Sequence, residues 1–135
     1  MTDSAQPCRA GWLEDRPAIP IRTSAELDVL LRRLASEHSG DNAVLVEVSR
    51  PNGDALSIGL GHPLSVLSVV PGNGLPPYRV SLGLDEPGPG LAWYYFGRWT
   101  HFDQESLISN ELAFAAMREF FESGRLSARV TWRDV

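Results

Sequence analysis

Residues 91–135 read LAWYYFGRWTHFDQESLISNELAFAAMREFFESGRLSARVTWRDV, and this stretch decides the fold. Ten of the chain's twelve aromatic residues fall inside it, between Trp93 and Trp132. From Leu91 to Arg98 the pattern is that of a strand that is bulky on both sides. Leu91, Trp93, Tyr95 and Gly97 face one way, and Ala92, Tyr94, Phe96 and Arg98 the other. One of these faces must be core. Trp99 and Phe102 fall in an expected turn after the strand and are placed over the end of the core. A helix then starts at Ser109 or Asn110, either of which can cap it, and runs to Ser123 before the stop at Gly124. Leu112, Ala113, Ala116, Met117, Phe120 and Phe121 form its apolar face. In a closing strand, Ala128, Val130 and Trp132 alternate with Arg129, Thr131 and Arg133.

Upstream, the clearest element is another helix. Thr23 and Glu26 have capping-box spacing, and Leu27, Leu30, Leu31, Leu34 and Ala35 make one apolar stripe that ends before Gly40. Ala43 to Ser49 alternates with Val44, Val46 and Val48 on one face, and the turn residues Pro51, Asn52, Gly53 and Asp54 lead back through Leu56, Ile58 and Leu60 as a hairpin. Extended pieces over 64–70 and 78–84 follow, separated by a Pro/Gly loop at 71–77. The order strand, helix, several strands, helix, strand predicts an α+β domain: a mainly antiparallel sheet with two helices packed on one face. Residues 1–16 read as a flexible arm and 17–135 as a single domain. The faces opposite the apolar residues carry Glu47, Ser49, Ser57, Gly59, Arg79, Ser81, Gly83, Arg129 and Thr131, which predicts one open sheet face.

At 135 residues and 43% hydrophobic content, the chain is long enough to bury roughly 70% of the surface its unfolded form exposes. No apolar run approaches the roughly 20 residues of a membrane span, and the amino terminus lacks the apolar segment of a secretory signal. A cytoplasmic location is expected. Every basic residue is arginine, and twelve of them face seventeen acids for a net charge of -5. Nucleic acid is therefore a poor direct partner, whereas a basic protein suits this balance. Cys8 is expected to be a surface thiol of the arm.

Recognisable catalytic sets are missing from the sequence. Gly59, Gly61, His62 and Pro63 resemble a glycine loop, but no helix pattern follows and the chain has no lysine. The three histidines, His38, His62 and His101, have no metal-pair spacing, and His101 with Asp103 reads as a turn rather than a base and its orienter. No cofactor or metal is expected. The residues best suited to a protein partner are Trp93, Tyr94 and Tyr95 on the aromatic strand and the acids Asp85, Glu86, Asp103 and Glu105 flanking it, since aromatic groups supply rigid contact area and acids steer a basic partner.

The segment YYFGRWTHFDQESLIS, the helix ELAFAAMREFFESG and the ending ARVTWRDV together resemble the immunity protein Imm1 family of bacterial polymorphic toxin systems. The likeness is strongest over residues 91–135 and holds in element order from Pro17 onward. It implies an α+β immunity protein that binds and neutralises a cognate secreted toxin, often a nucleic-acid deaminase, by occluding its active site. Two other readings stay open: a small enzyme using His101 or His62, and a binding domain for a non-toxin partner.

Overall fold

The computed structural model describes residues 7–12, 17–83, 91–95 and 99–135. Among the described residues, two α-helices, α1 (Ser24–Glu37) and α2 (Asn110–Ser123), accompany nine strands: β1 (Cys8–Gly11), β2 (Ile19–Ile21), β3 (Val44–Ser49), β4 (Ala55–Leu60), β5 (Leu67–Val70), β6 (Arg79–Leu82), β7 (Leu91–Tyr95), β8 (Trp99–Asp103) and β9 (Thr131–Asp134). The sheet runs β2-β1-β3-β4-β5-β6-β9, with β7 joined to β3 and β8 joined to β7. All pairings are antiparallel except the short parallel join at Val44 and Tyr95. The expected α+β class is the observed one.

Local chemistry sets the helix limits. Glu26 N–H donates to the Thr23 hydroxyl at 3.1 Å and Thr23 N–H donates to Glu26 Oε1 at 3.1 Å, completing the capping box of α1. Ser109 caps α2, and Gly124 ends it at φ 79°, in the left-handed region that favours glycine. No basic residue lies in the last turn of α2. Arg50, beside the β3–β4 turn, supplies the charge instead: its Nη1 donates to the Phe120 carbonyl at 2.9 Å and to the Phe121 carbonyl at 2.6 Å. The hairpin and the helix end are thereby tied together across 70 residues of sequence.

The alternation of β3 and β4 builds the main core. Val44, Val46, Val48, Leu56, Ile58 and Leu60 meet Leu27, Leu30, Leu31 and Leu34 of α1 and Ala113, Ala116, Met117 and Phe120 of α2. A second core lies apart from it, formed by Ala43, Leu45, Val66, Val80, Ala92, Tyr94 and Leu107, with Leu64 and Phe102 against it. This second core exists because β7 and β8 fold over part of the helix-free face. The opening is correspondingly narrower than the sequence suggests: Glu47 is exposed and Ser49 and Ser57 are half-buried, but Gly59 and Ser81 are buried. The Ser81 hydroxyl donates to the Ser106 carbonyl at 2.7 Å and accepts from Leu67 N–H at 3.0 Å.

Several expectations are corrected. Cys8–Gly11, read as part of an arm, form β1 and pair with both β2 and β3. Cys8 is consequently buried rather than on the surface, and that burial raises its thiol pKa against the opposing charge of Arg50. Residues 99–103, read as a turn, are strand β8. The closing strand is shorter than its pattern and begins at Thr131. Leu84, Phe96, Gly97 and Arg98 lie outside the described residues.

Tyr94 seats β7 on the sheet. A β-carbon at Gly59 would stand 2.5 Å from Tyr94 Cε1 and 2.6 Å from Tyr94 Cζ, so the ring lies on the bare backbone of β4. We predict that Gly59→Ala costs about 1–3 kcal/mol by overpacking. The cost should shrink by at least about 0.5 kcal/mol when Tyr94→Leu is already present. Denaturant melts of the four proteins measure this coupling, and additive losses would contradict the seat.

Candidate binding face

Tyr94 and its neighbours divide β7 by the strand's period of two. Tyr94 is 0% exposed, whereas Trp93 is 45% and Tyr95 38% exposed. Tyr94 was expected among the contact residues; the structure makes it the anchor instead. Its hydroxyl donates to the Leu64 carbonyl at 3.3 Å, and its ring meets His62 at 4.8 Å and Phe102 at 6.0 Å, both edge-on. Burial raises the pKa of this phenol well above its ordinary value, so it stays protonated.

The register with β8 extends the outer face. Trp93 stands opposite His101 and Tyr95 opposite Trp99. The ring centroids of these cross-strand pairs are 4.8 Å and 5.4 Å apart. Trp99 is 50% exposed and does not close the core as expected; Phe102, one face over, does pack against it. Trp93, Tyr95, Trp99 and His101 thus form a four-ring ladder on the outside of a two-stranded ribbon. Trp99 and His101 were not expected on this outer face, although the signal was present: Trp99, His101 and Asp103 alternate with Thr100 and Phe102.

Asp103 continues the same face and is exposed. Glu105, just beyond it, is half-buried and bonded to Arg133 of β9. Arg133 Nη2 also lies 4.0 Å from Asp103 Oδ2, so one guanidinium holds the end of β8 against the sheet. Of these two acids Asp103 is the more exposed, and Glu105 is engaged by Arg133. Asp85 and Glu86 lie outside the described residues.

The histidines proposed for an enzyme have structural surroundings. His62 Nε2 donates to the Trp93 carbonyl at 2.9 Å, and the His101 ring meets the Trp93 ring at an interplanar angle of 56°. A cavity of about 240 Å³ beside the ribbon is lined by His62, Pro63, Leu64, Ala92, Gln104 and Leu107, and among the described residues its only titratable side chain is that same bonded His62. Among the described residues no group of three His, Cys, Asp or Glu could hold a metal ion. No helix among them is long and apolar enough to cross a membrane.

A family model described as "Immunity protein Imm1" matches residues 15–134, nearly the whole chain. The chain belongs to the Imm1 family. It is accordingly an immunity protein, and such a protein has a cognate toxin as its partner. No curated protein matches the chain. The family match begins beyond β1 of this immunity protein, so its first strand is a feature of the structure that the match does not cover.

The two faces of the ribbon should respond differently to truncation. Trp93→Ala and Trp99→Ala are each expected to change the stability of this Imm1 protein by less than about 1 kcal/mol. Tyr94→Ala should cost about 3–5 kcal/mol, as large buried aromatic truncations do. Thermal and urea unfolding of the three variants checks this division.

Proposed function

We propose that this immunity protein neutralises its toxin by laying the outer face of β7 and β8 over the toxin's active site, in a one-to-one complex. The observation that carries this reading is the ladder. Three large aromatic side chains, Trp93, Tyr95 and Trp99, are exposed side by side on a ribbon whose other face is anchored in the core. Exposed aromatic clusters on a rigid support supply contact area at little entropic cost and are the residue types that dominate binding energy. Clustered apolar surface of this kind marks an interaction site.

Charge supports a basic toxin. The chain carries a net charge of -5, and Asp103 extends the ladder at the end of β8. A toxin acting on nucleic acid, such as a deaminase, needs a basic cleft to hold phosphates, and carboxylates on an inhibitor can occupy those positions. Asp85 and Glu86, which precede β7 in sequence, belong to this acidic set. The protein acts as a cytoplasmic inhibitor without a catalytic residue or cofactor of its own, and substitution of His38, whose ring bonds the Asn42 carbonyl, should leave protection against the toxin intact.

The test uses the toxin domain encoded beside this gene and stopped-flow association at several salt concentrations. Charge reversal at Asp85, Glu86 and Asp103 is expected to slow association roughly tenfold at low salt and to flatten its salt dependence. Glu105 is left intact because its loss would free Arg133. Trp93→Ala with Trp99→Ala should speed dissociation by roughly 30-fold, the equivalent of about 2 kcal/mol. Unchanged association and dissociation rates in both sets would sink this assignment of the face.

A further inference from the structure

Main-chain directions along the ribbon follow from two contacts. Tyr95 N–H donates to the Ala43 carbonyl at 3.0 Å, so at Tyr95 strand β7 turns its polar groups away from β8. The Trp93 carbonyl accepts from His62 and has the same sense. In an antiparallel pair, residues directly opposite either exchange their hydrogen bonds or both point them outward, in alternation. Trp99 and His101, opposite Tyr95 and Trp93, therefore turn their N–H and C=O groups away from β7, and Asp103 N–H follows two residues on. Thr100 and Phe102 are the residues that bond across to Tyr94 and Ala92. The close ring pairs fit this phase, because non-bonded pairs bring side chains nearest.

The outer edge of β8 thus presents the main-chain groups of the same residues whose side chains form the ladder. Among the described residues, none of Trp99 N–H, His101 N–H, Asp103 N–H and the Trp99 and His101 carbonyls has a hydrogen-bond partner. The edge at β2 is different: Pro20 sits in its middle and has no N–H to offer. Strand β8 contains no proline, and its side chains alternate between the ladder and the second core.

We propose that β8 is a docking edge for an extended, basic segment of the toxin, which adds to the ribbon as a further strand beside Trp99–Asp103. The proposal rests on the reading that the outer face of the ribbon contacts the toxin. Two observations select this occupant. The edge is continuous with the ladder, so alternate side chains of an added strand would lie beside the exposed rings. Those ring faces and the Asp103 carboxylate also favour arginine or lysine over acidic or purely apolar side chains.

The experiment compares His101→Val with His101→Pro in equilibrium binding to the toxin domain encoded beside this gene. Both lose the imidazole; only proline removes an outward N–H, and it does so without breaking a bond to β7. His101→Pro is expected to bind roughly tenfold more weakly than His101→Val. Equal affinities would overturn edge docking, while Trp93→Ala and Trp99→Ala in the same assay report separately on the face itself. If those two also bind like the native protein, the face reading fails as well.

Should His101→Pro fail to fold, residue-resolved amide exchange on the native chain supplies the same answer. The amides of Trp99, His101 and Asp103 should become protected only in the complex, whereas Thr100 and Phe102 are slow already in the free protein. No new protection at the first three overturns the proposal. Protection that instead rises with concentration in the free chain, together with a dimeric mass, assigns the edge to a second copy and overturns it too.

Discussion

The contact between the Tyr94 ring and the bare backbone at Gly59 governs how the ribbon sits. Without a β-carbon at that position, an aromatic ring can lie against β4, draw β7 across the helix-free face and enclose the second core. Once Tyr94 is inward, the period of two leaves no choice for its neighbours: Trp93 and Tyr95 must point out. The register then brings Trp99 and His101 alongside them. A single buried ring therefore determines where four outer rings stand, and His62 reinforces it by meeting the Tyr94 ring and holding the Trp93 carbonyl at once.

Strand β3 is the other organising element, since it pairs with β4 along its length and divides its remaining edge. Residues Glu47–Ser49 pair with β1, and Val44 pairs with Tyr95 of β7. The sheet consequently continues in one direction at one end of β3 and turns into the ribbon at the other. Helices α1 and α2 brace the opposite face, linked by Arg118 to Asp28 at 2.7 Å and by Ser24 to Glu122 at 2.6 Å. These surface links add little by themselves; the shared apolar packing of the helices against β3 and β4 carries most of the stability.

Features governed by neighbours in sequence were legible from the sequence. The Thr23–Glu26 box, the Ser109 cap, the Gly124 stop and the alternation of β3 and β4 depend on residues a few positions apart, and all appear as read. Features governed by distant pairing were not. Cys8–Gly11 is four residues long and becomes a strand only because Ile19–Ile21 and Glu47–Ser49 flank it. Trp99–Asp103 places large rings on both sides, which blurs the contrast between a core face and a wet one and made a turn plausible. Ser81 looked like a surface residue, yet its hydroxyl bridges two buried backbone groups. Tyr94 could be assigned inward only once Gly59 was known to lie beneath it.

The alternation along β7 and β8 separates two kinds of selection. Tyr94, Ala92 and Phe102 are constrained by the second core, and change there is felt throughout the domain. Among the described residues, the rings of Trp93, Tyr95, Trp99 and His101 pair with one another and are exposed. A lineage can therefore exchange the outer residues one at a time while the inner ones keep the ribbon in place. Under the proposed function, recognition is free to drift with a changing opponent, and folding is not put at risk by the drift.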